Sequence, residues 1–300
     1  MAFKFNKNDR KLLASIAEHR VLTVSQLTAI HQRSKQVARR RLGMLEEAGL
    51  IQSTTRGFGR IRGRPEKLLS LTENGTRLLG CEDHSLHAVS DRCLDHQLLV
   101  NWFRIHLGHI GHVITQLSFR FLSPTSPFLR RDHNDRPLIF ERIRVENHPG
   151  NSIGFTPDGV FSITHKEQRK TLLFFLEVDM GTESVASPKR DPRDIRQKVI
   201  NYQKYFQSSQ YKRYEEIWEC SLKGFRLLFL TNTNGRLATL CRLVQEMIPS
   251  DFIWLTDQER MFSNGLSAKI WVRGGRQNVR PQSILGAEMA CQTPISPLKP

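Results

Sequence analysis

The residues best placed to do chemistry lie in Thr171-Leu172-Leu173-Phe174-Phe175-Leu176-Glu177-Val178-Asp179. Five apolar residues run without a break and then give way to two carboxylates. A short run rich in Leu and Phe predicts a strand buried on both faces. Side chains alternate along a strand, so Glu177 and Asp179 should emerge on one face, roughly 7 Å apart. Two ionised carboxylates at the end of a buried strand are costly if left alone. A divalent cation such as Mg²⁺ or Mn²⁺ would offset that cost, because hard oxygen ligands suit it.

A third carboxylate precedes them. Phe155-Thr156-Pro157-Asp158-Gly159 reads as a turn, and Val160 to Thr164 alternates as a strand. A hairpin across the polar loop 165–170 would bring Asp158 near Glu177. Pro-Asp, then about twenty residues, then Glu-x-acceptor resembles the PD-(D/E)xK nuclease pattern of the restriction-endonuclease-like fold. Asp158, Glu177 and Asp179 would then be the metal ligands. That pattern has Lys where this chain has Asp179. Some nuclease-like relatives supply the Lys from the following helix, and Lys198 is the candidate here, about 60° from its helix's apolar stripe. The alternatives are a turn cap at Asp158, a solvated strand end at Glu177 and Asp179, and a surface-reaching Lys198.

The elements that must position these groups can be read from the rest of the chain. Three hundred residues suggest two domains. The net charge is +16, and residues 1–80 hold 16 Lys/Arg against 6 Asp/Glu. Such asymmetry points to a polyanionic partner, with double-stranded DNA the leading one. No stretch has the length of a membrane span. The start lacks an apolar leader region. Five scattered cysteines without Cys-x-x-Cys argue against zinc and a disulfide scaffold, and fit a cytoplasmic location.

Asn8 is the expected cap of a first helix carrying Leu12, Leu13, Ile16 and Ala17. Thr23-x-x-Gln26 has the form of a capping box for a second. Ser34 opens a third, with Ala38, Leu42 and Leu45 inward and Gly49 as its C-terminal stop. Lys35, Gln36, Arg39 and Arg40 should point outward, where Arg and Gln suit base edges. Strands near 50–53 and 67–71 flank a loop whose Arg56, Arg60, Arg62 and Arg64 should meet phosphate or a minor groove. The arrangement resembles a winged helix-turn-helix; a protein-docking winged helix with a solvated basic face is the alternative.

Residues 81–92 read as a linker, and 93–276 as a second domain. It opens with a helix bearing Leu94 to Leu107, where His96 reads as structural. Strand–helix–strand alternation after Asp191, the expected start of a further helix, implies at least partly parallel pairing. The fold class is therefore α/β (α+β overall), a winged helix-turn-helix followed by a restriction-endonuclease-like domain with a mixed sheet. Residues 277–300, rich in Pro, Gln and Ser, read as a loose tail.

Leu94-Asp95-His96-Gln97-Leu98, Pro157-Asp158-Gly159, the Glu-x-Asp-x-Gly-Thr-Glu run 177–183 and Lys198-Val199-Ile200-Asn201-Tyr202 occur in this order after the winged helix. Together they resemble the bacterial replication-relaxation family of plasmids and mobile elements. The resemblance implies a role in plasmid replication or relaxation of supercoiled plasmid DNA. Two readings stay open: a metal-dependent nicking enzyme, and a non-enzymatic regulator whose second domain binds DNA or forms a homodimer. A nucleotide cofactor is not expected, since no Gly-rich phosphate loop is present. A covalent tyrosine mechanism is not expected either, because Tyr202, Tyr205, Tyr211 and Tyr214 cluster as packing residues.

Overall fold

A computed structural model describes residues 4–55, 66–81, 89–144, 152–186, 194–286, 295 and 298. The chain forms two compact units. The first comprises residues 1–105 with 125–130, and the second 106–124 with 131–299. Helices and a mixed six-stranded sheet make the chain α/β.

The first unit opens with α1 (Lys7–His19), capped by Asn6 and not by Asn8. Asn6 has Asp9 at its N3 position, so each can accept the other's backbone N–H. Asn8 would have Lys11 there and could form no reciprocal box. β1 (Leu22–Thr23) leads into α2 (Val24–His31), where the Thr23–Gln26 box forms as expected. Ser34 caps α3 (Lys35–Glu47). At the far end, Gly49 at φ 67° lets its N–H reach Glu46 O and that of Leu50 reach Leu45 O. This pair of bonds closes the helix and turns the chain into β2 (Ile51–Thr55).

β3 (Lys67–Leu71) pairs antiparallel with β2 and with β1, giving a sheet in the order β1-β3-β2. The two-residue β1 was not foreseen, because Thr23 reads only as a helix cap. α4 (Glu73–Leu79) follows, capped by Thr72. Leu13, Ile16, Leu22, Leu27, Leu45, Ile51 and Leu69 fill the core between helices and sheet. The long α5 (Asp91–Val113) contributes to both units. Its Leu94 and Leu98 pack with Val21 and Leu68. Its buried Asn101 donates to Val21 O at 2.7 Å, so the polar side chain is satisfied within the core.

The second unit is built on one six-stranded sheet, in the order β11 (Val272–Arg273), β10 (Ile253–Asp257), β9 (Phe225–Thr231), β8 (Lys170–Asp179), β7 (Gly159–His165), β4 (Leu117–Leu122). β5 (Glu141–Arg144) and β6 (Ser152–Phe155) form a separate two-stranded ribbon. β7 (Gly159–His165) and β8 (Lys170–Asp179) form the expected antiparallel hairpin. β8 is buried on both sides. Phe174 stacks on Phe161 at 4.7 Å, while Phe175 meets Tyr202 and Phe225 edge-on at 5.7 and 4.7 Å. Each such ring contributes about 2–3 kcal/mol by leaving water.

α6 (Ile195–Gln207) is capped by Asp194, later than the expected start at Asp191. Asp194 accepts the N–H of Gln197, and residues 191–193 lie outside the described residues. α7 (Arg213–Trp218) follows a short 3₁₀ turn. β9 (Phe225–Thr231) then pairs parallel with β8, α8 (Asn234–Glu246) intervenes, and β10 (Ile253–Asp257) pairs parallel with β9. α9 (Gln258–Asn264) and β11 (Val272–Arg273) complete the unit. Residues 277–286 are not loose as expected. Gln282 bridges to Trp271, and Ile284 is fully buried.

Candidate functional site

The C-terminal end of β8 is where the expected chemistry gathers. The register pairs Gly159 with Leu176, so Asp158 sits beside Glu177 where β7 begins. Asp158 is fixed there twice. Its N–H donates to Leu176 O at 3.1 Å, and its carboxylate accepts the Val178 N–H at 2.7 Å. Gly159 is needed for close packing: a Cβ there would lie 2.3 Å from the Phe121 ring.

Glu177 is buried at 4 % exposure. Two groups from α6 hold it. Tyr202 donates its hydroxyl at 2.6 Å and Lys198 its ammonium at 3.2 Å. They are four residues apart, so one helical face presents both. Lys198 also pairs with Glu183 at 2.9 Å. Burial pushes the Glu177 carboxyl up to about 6; the charge of Asp158 adds to that rise, and Lys198 opposes it. Burial disfavours the Lys198 charge, yet Glu177, Asp158 and Glu183 outweigh it and raise its pKa. Burial, then Glu177, keeps the Tyr202 phenol protonated well beyond its usual range.

Asp179 is equally buried but differently employed. Arg236, from the first turn of α8, donates to both of its oxygens, and Gly181 N–H donates at 3.0 Å. Arg236 also donates to Glu183 O at 2.7 Å. Ion pairs and hydrogen bonds run from Asp179 through Arg236 and the 181–183 turn to Lys198 and Glu177. Asp158, Glu177 and Lys198 are thus brought together, while Asp179 is committed to Arg236. Among the described residues, no three His, Cys, Asp or Glu side chains converge closely enough to hold a metal ion.

Sequence reasoning missed Tyr202 and Arg236 as partners. The four-residue spacing of Lys198 and Tyr202 was a usable signal. Nothing local marks Arg236, because a cation in the first turn of a helix opposes the helix dipole and reads as a surface residue. A further buried carboxylate, away from this corner, was also missed. Glu141 on β5 is 1 % exposed and accepts hydroxyls from Tyr205 and Tyr214 at 2.5 and 2.6 Å. Burial raises its pKa, against the opposing charge of Arg213. All four tyrosines are buried, so they serve packing and these bonds.

In the first unit, Lys35, Gln36, Arg39 and Arg40 are exposed along α3. Val37, an apolar residue, stands among them at 56 % exposure. Arg41, the third of the arginine run, turns inward to the buried Asp9 and to Lys4 O. Burial would raise the Asp9 carboxyl, but hydrogen bonds from Arg41 and Asn6 prevail and hold it below its usual value. Arg56, Arg60, Arg62 and Arg64 lie outside the described residues. No helix among the described residues is long and apolar enough to cross a membrane.

No curated protein matches the sequence. The replication-relaxation family profile matches residues 13–219, which takes in most of the first unit, the hairpin with Asp158, Glu177 and Asp179, and the helix carrying Lys198 and Tyr202. On that match over more than half its length, the chain belongs to the replication-relaxation family.

Proposed function

We propose that this chain is a DNA-binding protein of plasmid or mobile-element replication whose second unit nicks DNA with a divalent metal. One observation carries the nicking reading: Lys198, reaching from α6, sets its ammonium 3.2 Å from Glu177, beside Asp158. The strand lacks the cation expected two residues after Glu177, and the helix delivers it to the same corner.

With two carboxylates in place of three, the donor set would suit Mg²⁺ or Mn²⁺. Asp158 and Glu177 offer two hard carboxylates, and Mg²⁺ commonly takes one or two from protein while substrate phosphate completes its shell. Asp179 is no part of that set, since Arg236 occupies it. Such a cation would stabilise charge at the phosphate and activate a water. Lys198 would oppose the negative charge that builds on the phosphate during cleavage. Tyr202 would hold the Glu177 carboxylate in place.

Duplex binding is assigned to α3 and the loop 56–64. Three helices and a three-stranded antiparallel sheet support the winged helix-turn-helix reading, in which α3 enters a major groove. Arg39, Arg40 and Gln36 would read base edges, and Val37 would meet a thymine methyl. Lys35 and the arginines at 56, 60, 62 and 64 would contact phosphates.

The test is incubation of supercoiled plasmid with the full chain and Mg²⁺ or Mn²⁺. Nicked circles should appear with the native chain and be lost in Asp158→Ala and Lys198→Met. No cleavage with any divalent metal would end the nicking reading. A second reading, a non-enzymatic regulator using this unit for DNA binding or homodimerisation, is favoured by the ion-paired state of Glu177 and Asp179. Sequence-specific binding that is unchanged in Glu177→Ala, with no turnover, would select it.

A further inference from the structure

The opposite end of the same sheet, where β8, β9 and β10 begin, holds a cavity of about 670 Å³. It lies five residues along β8 from Glu177, roughly 17 Å away, so it is separate from the carboxylate corner. Its walls combine two kinds of group. Phe206 and Phe252, stacked at 4.8 Å, and Trp254 supply aromatic surface. Arg169, Lys223 and Arg226 supply positive charge. The cavity's carboxylate, Asp251, is already paired with Arg273 and Arg276.

Arg226 is the informative residue. Its guanidinium lies 4.5 Å from the Trp254 ring centre and 5.7 Å from that of Phe174. Cation–π contacts fix its plane but satisfy none of its N–H groups. Its Nη1 is buried with no hydrogen-bond partner among the described residues. A buried, unsatisfied charged donor costs stability unless something binds it. An anionic oxygen would fit.

We propose that this cavity binds a nucleotide unit, with phosphate on Arg226 and Lys223 and the base against the Phe206–Phe252 aromatic wall. Unpaired bases stack on aromatic side chains regardless of sequence, and cations beside them follow the phosphates. The unit could come from a single DNA strand or from free nucleotide; the strand is the occupant we assign, because Arg169 and Lys170 extend the positive rim beyond one phosphate.

Fluorescent dT10 is titrated into the full chain already saturated with an unlabelled 20-base-pair duplex, so that the basic first unit is occupied. Binding should persist, and should weaken roughly tenfold in Arg226→Met, the loss expected for one charge-assisted hydrogen bond. The exposed double variant Arg169→Gln/Lys223→Gln should weaken it comparably with unchanged melting, which guards against misfolding of Arg226→Met. Competition by dTMP would support recognition of the nucleotide unit itself. Binding of dTMP without binding of dT10 would assign the cavity to free nucleotide and overturn the strand. Displacement of dT10 by the duplex, competition by inorganic phosphate equal to that by dTMP, or full dT10 affinity in both variants would overturn the proposal.

Discussion

Replacing Lys198 by Met should leave Glu177 protonated at neutral pH in the metal-free protein. The Lys198 Nζ to Glu177 Oε2 distance is 3.2 Å. At an effective dielectric constant near 20 such a pair attracts by about 5 kcal/mol. The Lys198 side chain is 28 % exposed, so solvent screening reduces this to roughly 2–4 kcal/mol. Each pKa unit corresponds to about 1.4 kcal/mol, so removing the ammonium should raise the Glu177 carboxyl by roughly 1.5–3 units from its native value. That native value is already pushed up to about 6. The assay is ¹³C NMR of labelled Glu side chains in EDTA, followed from pH 4.5 to 9. The stability consequence has a definite sign. A carboxyl raised in the folded state stabilises fully below its unfolded value of 4.5, and that contribution is lost as pH rises through 6 in the native chain. In Lys198→Met the loss should shift to higher pH. A Glu177 pKa that is unchanged or lower in the variant would refute the assigned role of Lys198.

Other expectations are as direct. Arg41→Met should destabilise the first unit by about 3 kcal/mol in urea unfolding, because it leaves the buried Asp9 unpaired; the stability from that pair is present above pH 3.8 and is lost as pH falls through the lowered Asp9 value. Arg40→Ala should leave melting unchanged and instead weaken duplex binding by about 1–3 kcal/mol while relaxing its sequence preference, measured by binding to a set of duplexes. Gly159→Ala should cost about 1–3 kcal/mol through overpacking against Phe121, with part of the loss restored by Phe121→Leu. Removing both hydroxyls from the Glu141 cluster, in Tyr205→Phe/Tyr214→Phe, should cost roughly 3–6 kcal/mol, each bond to a charged group being worth about 1.5–3. Calorimetry checks both of the last two.

What was legible in the sequence is what local rules decide. The Thr23–Gln26 box, the Gly49 stop, the β7–β8 hairpin and the parallel β8–β9–β10 core follow from capping, positive φ and apolar runs. The meeting of Asp158 with Glu177 followed from hairpin register. What was not legible depends on contacts distant in the chain. Arg236 finds Asp179 across 57 residues, and Tyr214 finds Glu141 across 73. Neither leaves a periodic trace. Residues 277–286 read as loose because they open a tail rich in Pro, Gln and Ser, yet the buried Ser283 and Ile284 anchor them. Asp179 reads as a metal ligand from the sequence because a carboxylate on a strand end does not reveal whether its neighbour will be a metal ion or an arginine.

The pairing of Lys198 and Tyr202 on one acceptor ties the corner to the rotational phase of a helix. Both grip Glu177 only while α6 keeps its rotation about its own axis. One residue inserted between Asp194 and Lys198 would swing both through about 100° and release the carboxylate at once. Lengthening the chain ahead of Asp194 would leave the grip intact. Among diverging members of the family, length changes should therefore accumulate on the near side of that cap and stop abruptly at it.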